Sequence, residues 1–198
     1  MKKTHIIYLF TLLSLLAASC AKTEDDPDFT LRSRKARLTG EWKVTKASGA
    51  DISPFDNYTW EYDGNTHRKL SPANEPPQTH TYKYVFEKNG DYTFEMISTA
   101  SNGDKTTTTT KGIWNFTEGV GKQEKKTQLI LEARSLVSTS TSDPMNNYTM
   151  TYTGNDNHIV FDLLELRNNM MRWKMEEAMG STMFEGYAYS EEWTLERE

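Results

Sequence analysis

The chain has 198 residues, with 23 Lys and Arg against 28 Asp and Glu and a single cysteine, for a formal net charge of −5. One cysteine makes neither an internal disulfide nor a cysteine-rich metal site, and the acidic balance lacks the basic face of nucleic-acid-binding domains. The length fits one domain with a tail, and with 12% aromatic residues its core must rest on large rings as well as on Leu and Ile.

Residues 1–20 order three signals: the charges Lys2 and Lys3, an apolar run over 6–16, and the small residues Ala17, Ala18 and Ser19 directly before Cys20. The run is too short to span a hydrocarbon layer of ~30 Å, which takes about 20 residues, so a cleaved signal segment over 1–19 is expected. The stretch Leu16-Ala-Ala-Ser-Cys20 resembles the lipobox of bacterial lipoproteins, although Ala17 stands where that family usually has Leu. The resemblance implies that Cys20 is acylated, with palmitate among its chains, and that the protein sits in the outer membrane, facing the periplasm or the cell surface. Each buried CH₂ of the lipid contributes about 0.8 kcal/mol, so more than one chain anchors stably. The alternative is an incidental cysteine at the end of an ordinary signal peptide.

Residues 20–37 carry an acidic, Pro-interrupted tether and a short helical turn. Lys22, Glu24, Asp25 and Asp26 resemble the acidic export signal of surface lipoproteins in the Bacteroidota, and a plain solvated tether reads the same way. Over 29–38, Leu31 and Leu38 lie seven apart on one helical face, and Thr39-Gly40 ends the turn.

From Glu41 onward, short alternating runs rich in Thr, Tyr, Val, Phe and Trp give an all-β signature. Tyr82, Tyr84 and Phe86 alternate along one strand, Asn89-Gly90 supplies a tight turn, and Tyr92, Phe94 and Met96 alternate along the next, so 82–97 reads as an antiparallel hairpin. Further strands are expected over 106–117, 128–134, 148–152, 159–166, 170–176 and 187–197. Met171, Met175, Met179 and Met183 fall at helical spacing, while Met171, Trp173 and Met175 also alternate; strand, loop, strand is favoured, with a helix over 170–180 as the alternative. The segments 63–80 and 135–147 are expected as long loops, and the Thr106 to Thr110 run as an exposed strand edge.

The stretch Leu38-Thr-Gly-Glu-Trp-Lys-Val44 resembles the Gly-x-Trp opening of lipocalins and of bacterial lipocalin-like lipoproteins. Weaker matches follow in order through Tyr84 to Phe94, Gly112 to Phe116, Leu163 to Trp173 and Trp193-Thr-Leu195, covering most of 38–198. The family's Thr-Asp-Tyr motif is missing from its expected turn. The resemblance implies an up-and-down meander of about eight strands closed into a calycin-like barrel over 38–198, which removes exposed sheet edges. It also implies a closed end built on Gly40 and Trp42, with Arg197 as the ring's partner.

No constellation for catalysis is evident, and none for a metal or cofactor. His67, His80 and His158 read as exposed loop histidines, and the doublets Glu176-Glu177 and Glu191-Glu192 as solvent-facing, because adjacent strand residues point to opposite faces. The rings Tyr82, Tyr84, Phe86, Tyr92, Phe94, Trp114 and Trp173 are candidates to line a ligand cavity, or equally to fill the barrel solid. The expected role is therefore non-enzymatic: a barrel holding a small, partly apolar ligand, or a solid barrel docking an envelope protein or glycan through its loops.

Overall fold

The computed structural model describes residues 33–52, 57–70, 76–118, 127–142, 145, 147–153, 157–179 and 187–198. The signal segment, Cys20, the acidic tether, Leu31, the Gly180-Ser181 turn and Met183 lie outside the described residues. The elements are α1 (Arg34–Leu38), β1 (Gly40–Ile52), β2 (Asn57–Tyr62), β3 (Thr66–Leu70), β4 (Gln78–Phe86) and β5 (Asp91–Thr99). They continue with β6 (Lys105–Glu118), β7 (Thr127–Ser140), β8 (Tyr148–Thr151), β9 (His158–Leu166), β10 (Met170–Met179) and β11 (Tyr187–Arg197).

Every pairing is antiparallel, and the sheet runs β6-β5-β4-β3-β2-β1-β11-β10-β9-β7-β8, closed by β6 against β7. At one end β1 pairs directly with β4, from Gly40 opposite Phe86 to Lys43 opposite Lys83, so eight strands circle the barrel. Toward the other end β2 and β3 are wedged between β1 and β4, while β8 continues the line of β9 along β7. The alternation and short turns predict the strands, and their closure into an up-and-down barrel is what the resemblance implies.

The β4–β5 hairpin turns through Asn89 and Gly90, where Gly90 has φ +100° and Asn89 Oδ1 accepts from Asp91 N at 3.0 Å. Positive φ at that corner is the reason the turn takes glycine. Strand β10 resolves the methionine ambiguity: Met171 and Trp173 are fully buried and Met175 partly, so the period of two wins and 170–179 is strand.

Three expectations are corrected. The segment 63–80 is not one loop, because β3 and the start of β4 lie in it; Asp63 Oδ1 caps the β2–β3 turn by accepting from Thr66 N at 2.8 Å. The segment 135–147 begins as the second half of β7, whose Ser and Thr residues are held between β6 and β8. The Thr106 to Thr110 run is no edge: β6 is paired to β5 on one side and β7 on the other.

The barrel has a closed end under α1. Ser33 caps the helix, its Oγ accepting from Ala36 N at 3.2 Å, and the helix turns Arg37 and Leu38 inward. Arg37 Nη1 donates to Leu166 O at 2.9 Å, tying α1 to β9. Above this plug the interior is packed with rings: Trp173 meets Tyr84 edge-on at 5.1 Å and stacks on Phe161 at 4.8 Å, and Phe86 meets Trp114 edge-on at 6.1 Å. Burying rings of this size is the main stabilising term, each removing roughly 150–250 Å² from water.

Candidate functional site

Away from α1 the interior changes character. A bulge in β1 between Val44 and Lys46 resets the alternation, so Trp42 and Val44 and then Ala47 and Gly49 face the core. The extra residue turns Thr45 aside, as bulges do. In β11 the period of two puts Tyr189, Glu191, Trp193 and Leu195 on one face; in β4 it does the same for Gln78, His80, Tyr82, Tyr84 and Phe86; in β2 for Tyr58, Trp60 and Tyr62. These three faces converge on a cavity of about 350 Å³, walled by Trp60, His67, Tyr82, Glu191 and Trp193. Tyr58, Lys69 and Tyr189 stand at its margin.

The rings form a continuous wall. Trp60 stacks on His67 at 5.1 Å and meets Trp193 edge-on at 6.0 Å; Trp193 meets Tyr82 edge-on at 5.3 Å; His80 stacks on Tyr82 at 5.7 Å. The indole of Trp60 lies over Gly49, where a Cβ would stand 2.6 Å from Trp60 Cε2 and Nε1. Farther round the barrel, Thr106, Thr108 and Thr110 of β6 pair opposite Ser98, Met96 and Phe94 of β5. Directly opposed residues share a face, so these threonines stand on the same face as Met96 and Phe94, which pack against the core.

Glu191 is the one carboxylate among the cavity-lining residues, and it is 9% exposed. Its Oε2 accepts from Tyr189 Oη at 2.5 Å. The Trp193 indole N–H turns toward the same carboxylate and lowers its pKa, yet forms no well-shaped hydrogen bond with it. Burial outweighs both and raises the pKa of Glu191 above its ordinary 4.5, because a low-dielectric site disfavours the charged form. The tyrosines respond in the same sense: burial pushes Tyr82 and Tyr62 up to about 12, so their hydroxyls stay protonated. Burial lowers the pKa of His67 and His80, and His67, whose ring lies 5.5 Å away, also disfavours a charge on His80.

His80 bridges two polar side chains: Nδ1 lies 2.8 Å from Ser98 Oγ and Nε2 lies 3.1 Å from Gln78 Oε1. A neutral ring accepts from the serine and donates to the glutamine. The third member is an amide, which orients the ring but carries no charge to stabilise an imidazolium, so the chain fixes a tautomer and does not match a charged nucleophilic triad. Among the described residues, no group of three or more His, Cys, Asp or Glu is placed to hold a metal ion.

Of the seven rings proposed for the cavity, Tyr82 lines it. Tyr84, Phe86, Tyr92, Trp114 and Trp173 are buried below it, and Phe94 is partly buried against them. Gly40, Trp42 and Arg197 meet at the closed end: the Arg197 guanidinium lies over the Trp42 ring at 4.6 Å, and Trp42 Nε1 donates to Leu38 O at 2.7 Å. Two expectations fail here. His67 and His80 are strand residues, partly buried and buried, and Glu191 faces the interior, whereas Glu192 and Glu176 are exposed, as is His158 at the start of β9. The alternation Glu191, Trp193, Leu195 carried the signal for Glu191. Trp60 and His67 had none, since only the β2–β3 pairing brings one over the other.

A second depression, of about 440 Å³, lies on the outer face of β1, β2, β10 and β11, bordered by Glu61, Glu192 and the Lys174–Glu176 ion pair at 2.8 Å. It belongs to the solvent side.

The fold and site define a closed antiparallel β-barrel with a plugged end and an aromatic, acid-bearing cavity toward the other. Comparison of the chain with family models, curated proteins and solved structures returns no significant match.

Proposed function

We propose that this protein is a lipid-anchored, lipocalin-like envelope lipoprotein that binds a small, partly apolar ligand without chemical turnover. The observation that carries the reading is the 350 Å³ cavity, set apart from a closed end that holds Trp42 beneath Arg197. Ligand sites are concave, mostly apolar and carry a few oriented polar groups, and this one offers a wall of rings with one carboxylate. The volume falls within the lower part of the range for small-molecule sites, about 300–1,000 Å³. Lipid on Cys20 is supported by the lone cysteine and the small residues before it. The described residues contain no helix long and apolar enough to cross a membrane.

Native mass spectrometry of the protein purified from its own host tests the reading. A bound small molecule is expected, and its repeated absence overturns the proposal. A second reading, docking of an envelope protein, is favoured by the β7–β8 hairpin, where Val137, Tyr148 and Met150 are exposed. An empty cavity together with loss of complexes on changing those three residues to Ser would support that alternative.

A further inference from the structure

The cavity holds a buried acid that has no counter-ion among the described residues. Among the described residues Glu191 makes no ion pair; its polar contacts are the Tyr189 hydroxyl and the near approach of the Trp193 indole N–H. An isolated carboxylate inside a barrel is costly, and such groups are normally paired or hydrogen-bonded on every side. Around it stand three large π-faces or edges, with Trp193 6.0 Å from Trp60 and 5.3 Å from Tyr82. An aromatic enclosure next to a carboxylate is complementary to a positively charged nitrogen, since ring faces attract cations and the attraction grows when water is excluded. The margin already shows this preference: Lys69 Nζ lies 4.0 Å from the centroid of the Tyr58 ring.

The remaining groups facing the cavity leave room for one cation. Tyr189, Tyr82 and Tyr62 stay protonated, and His67 and His80 are held toward their neutral forms by burial. Lys69, which also lines the cavity, has its Nζ over the Tyr58 ring at 4.0 Å, and Tyr58 Oη in turn donates to Asp51 Oδ2 at 3.3 Å. Glu191 is the acid left to answer a ligand.

We propose that the cavity recognises an organic ammonium ion with an apolar body, held by Glu191 as counter-ion with its nitrogen and body against Trp60, Tyr82 and Trp193. This rests on the ligand-binding reading above and gives it a ligand class. An anionic ligand of the same shape is repelled by Glu191, and a neutral one gains the rings alone.

Isothermal titration of the purified protein with tryptamine, 3-methylindole and indole-3-propionate at neutral pH separates these cases. Tryptamine should bind tighter than indole-3-propionate by about tenfold or more, the scale of one desolvated cation contact. In Glu191→Gln, whose amide oxygen still accepts from Tyr189, the ratio of tryptamine to 3-methylindole affinity should fall about tenfold, leaving only the attraction of the rings for the cation. Equal or reversed preference in the wild-type protein overturns the inference without any variant, as does a preference undiminished in Glu191→Gln. Binding of 3-methylindole or indole-3-propionate but not tryptamine leaves the ligand-binding reading standing and removes the ammonium class. Binding of none of the three overturns the ammonium inference, and empty native spectra alongside it overturn the ligand-binding reading as well.

Discussion

Arg197, the penultimate residue, lies with its guanidinium 4.6 Å above the ring of Trp42, a residue of the first strand. The same group donates to three backbone oxygens: Nη1 to Thr39 at 2.8 Å, Nε to Asn168 at 2.6 Å, and Nη2 to Arg37. One planar fork thus ties together α1, the start of β1, the β9–β10 turn and the end of β11, and closes the barrel's end. Gly40 makes room for it, since its φ is +135° and a Cβ there would collide with Arg197 Nη1.

Gly40→Ala should therefore destabilise the protein by about 1–3 kcal/mol, through backbone strain and displacement of the guanidinium. Arg197→Lys should cost a similar amount, since an ammonium cannot serve three carbonyls in one plane while lying flat on an indole. Urea unfolding followed by tryptophan fluorescence checks both. Wild-type stability in either variant would contradict the role assigned to the clasp.

Gly49 allows the Trp60 indole to lie against β1, and a methyl group there would also stand 2.7 Å from Ser190 O. Gly49→Ala is expected to push Trp60 off the wall, at a cost of about 1–3 kcal/mol for overpacking, and to reduce occupancy of the cavity. Thermal melts and native mass spectrometry of the variant report the two effects.

The raised pKa of Glu191 has a consequence for stability against pH. The folded protein holds this proton more tightly than the unfolded chain does, so the group favours folding most at pH below its ordinary 4.5. That contribution is lost as pH rises through the folded-state value. Glu191→Gln should then melt higher than the wild type at neutral pH in the absence of ligand, with the gain shrinking toward pH 4. Taking the difference between the two proteins cancels the titration of His67 and His80, which both share. A gain independent of pH would show that charge burial is not its cause.

Cys20→Ser removes the proposed acylation site. Detergent phase partitioning of cell extracts should move the variant from the detergent phase to the aqueous phase. Unchanged partitioning would end the lipid-anchor proposal while leaving the barrel and its cavity untouched.

The strands were legible in the sequence where one face is uniformly large: Tyr82, Tyr84 and Phe86 in β4, and Trp193 and Leu195 in β11, whose bounds of Tyr187–Arg197 coincide with the expected ones. Strand β3, Thr-His-Arg-Lys-Leu, was hidden because it has no apolar face of its own; neighbouring strands hold it. The second half of β7 and the threonines of β6 looked like loop and edge for a related reason. They are small polar residues held between paired strands, and such residues are composed like a loop. The adjacent Glu192 masks Glu191 as half of a solvent-facing doublet, although the period of two assigns it to the ring face of Trp193. The cavity depends on β2 and β3 being wedged between β1 and β4, a pairing that no local pattern encodes.

A crystal structure of the protein purified from its own host is the most direct measurement of the central claim. The account predicts density for a bound small molecule between Trp60, Tyr82 and Trp193, with a polar atom within hydrogen-bonding distance of the Glu191 carboxylate. Side chains of the protein's own chain filling that space, or a cavity holding nothing but water in protein taken directly from the cell, would contradict it.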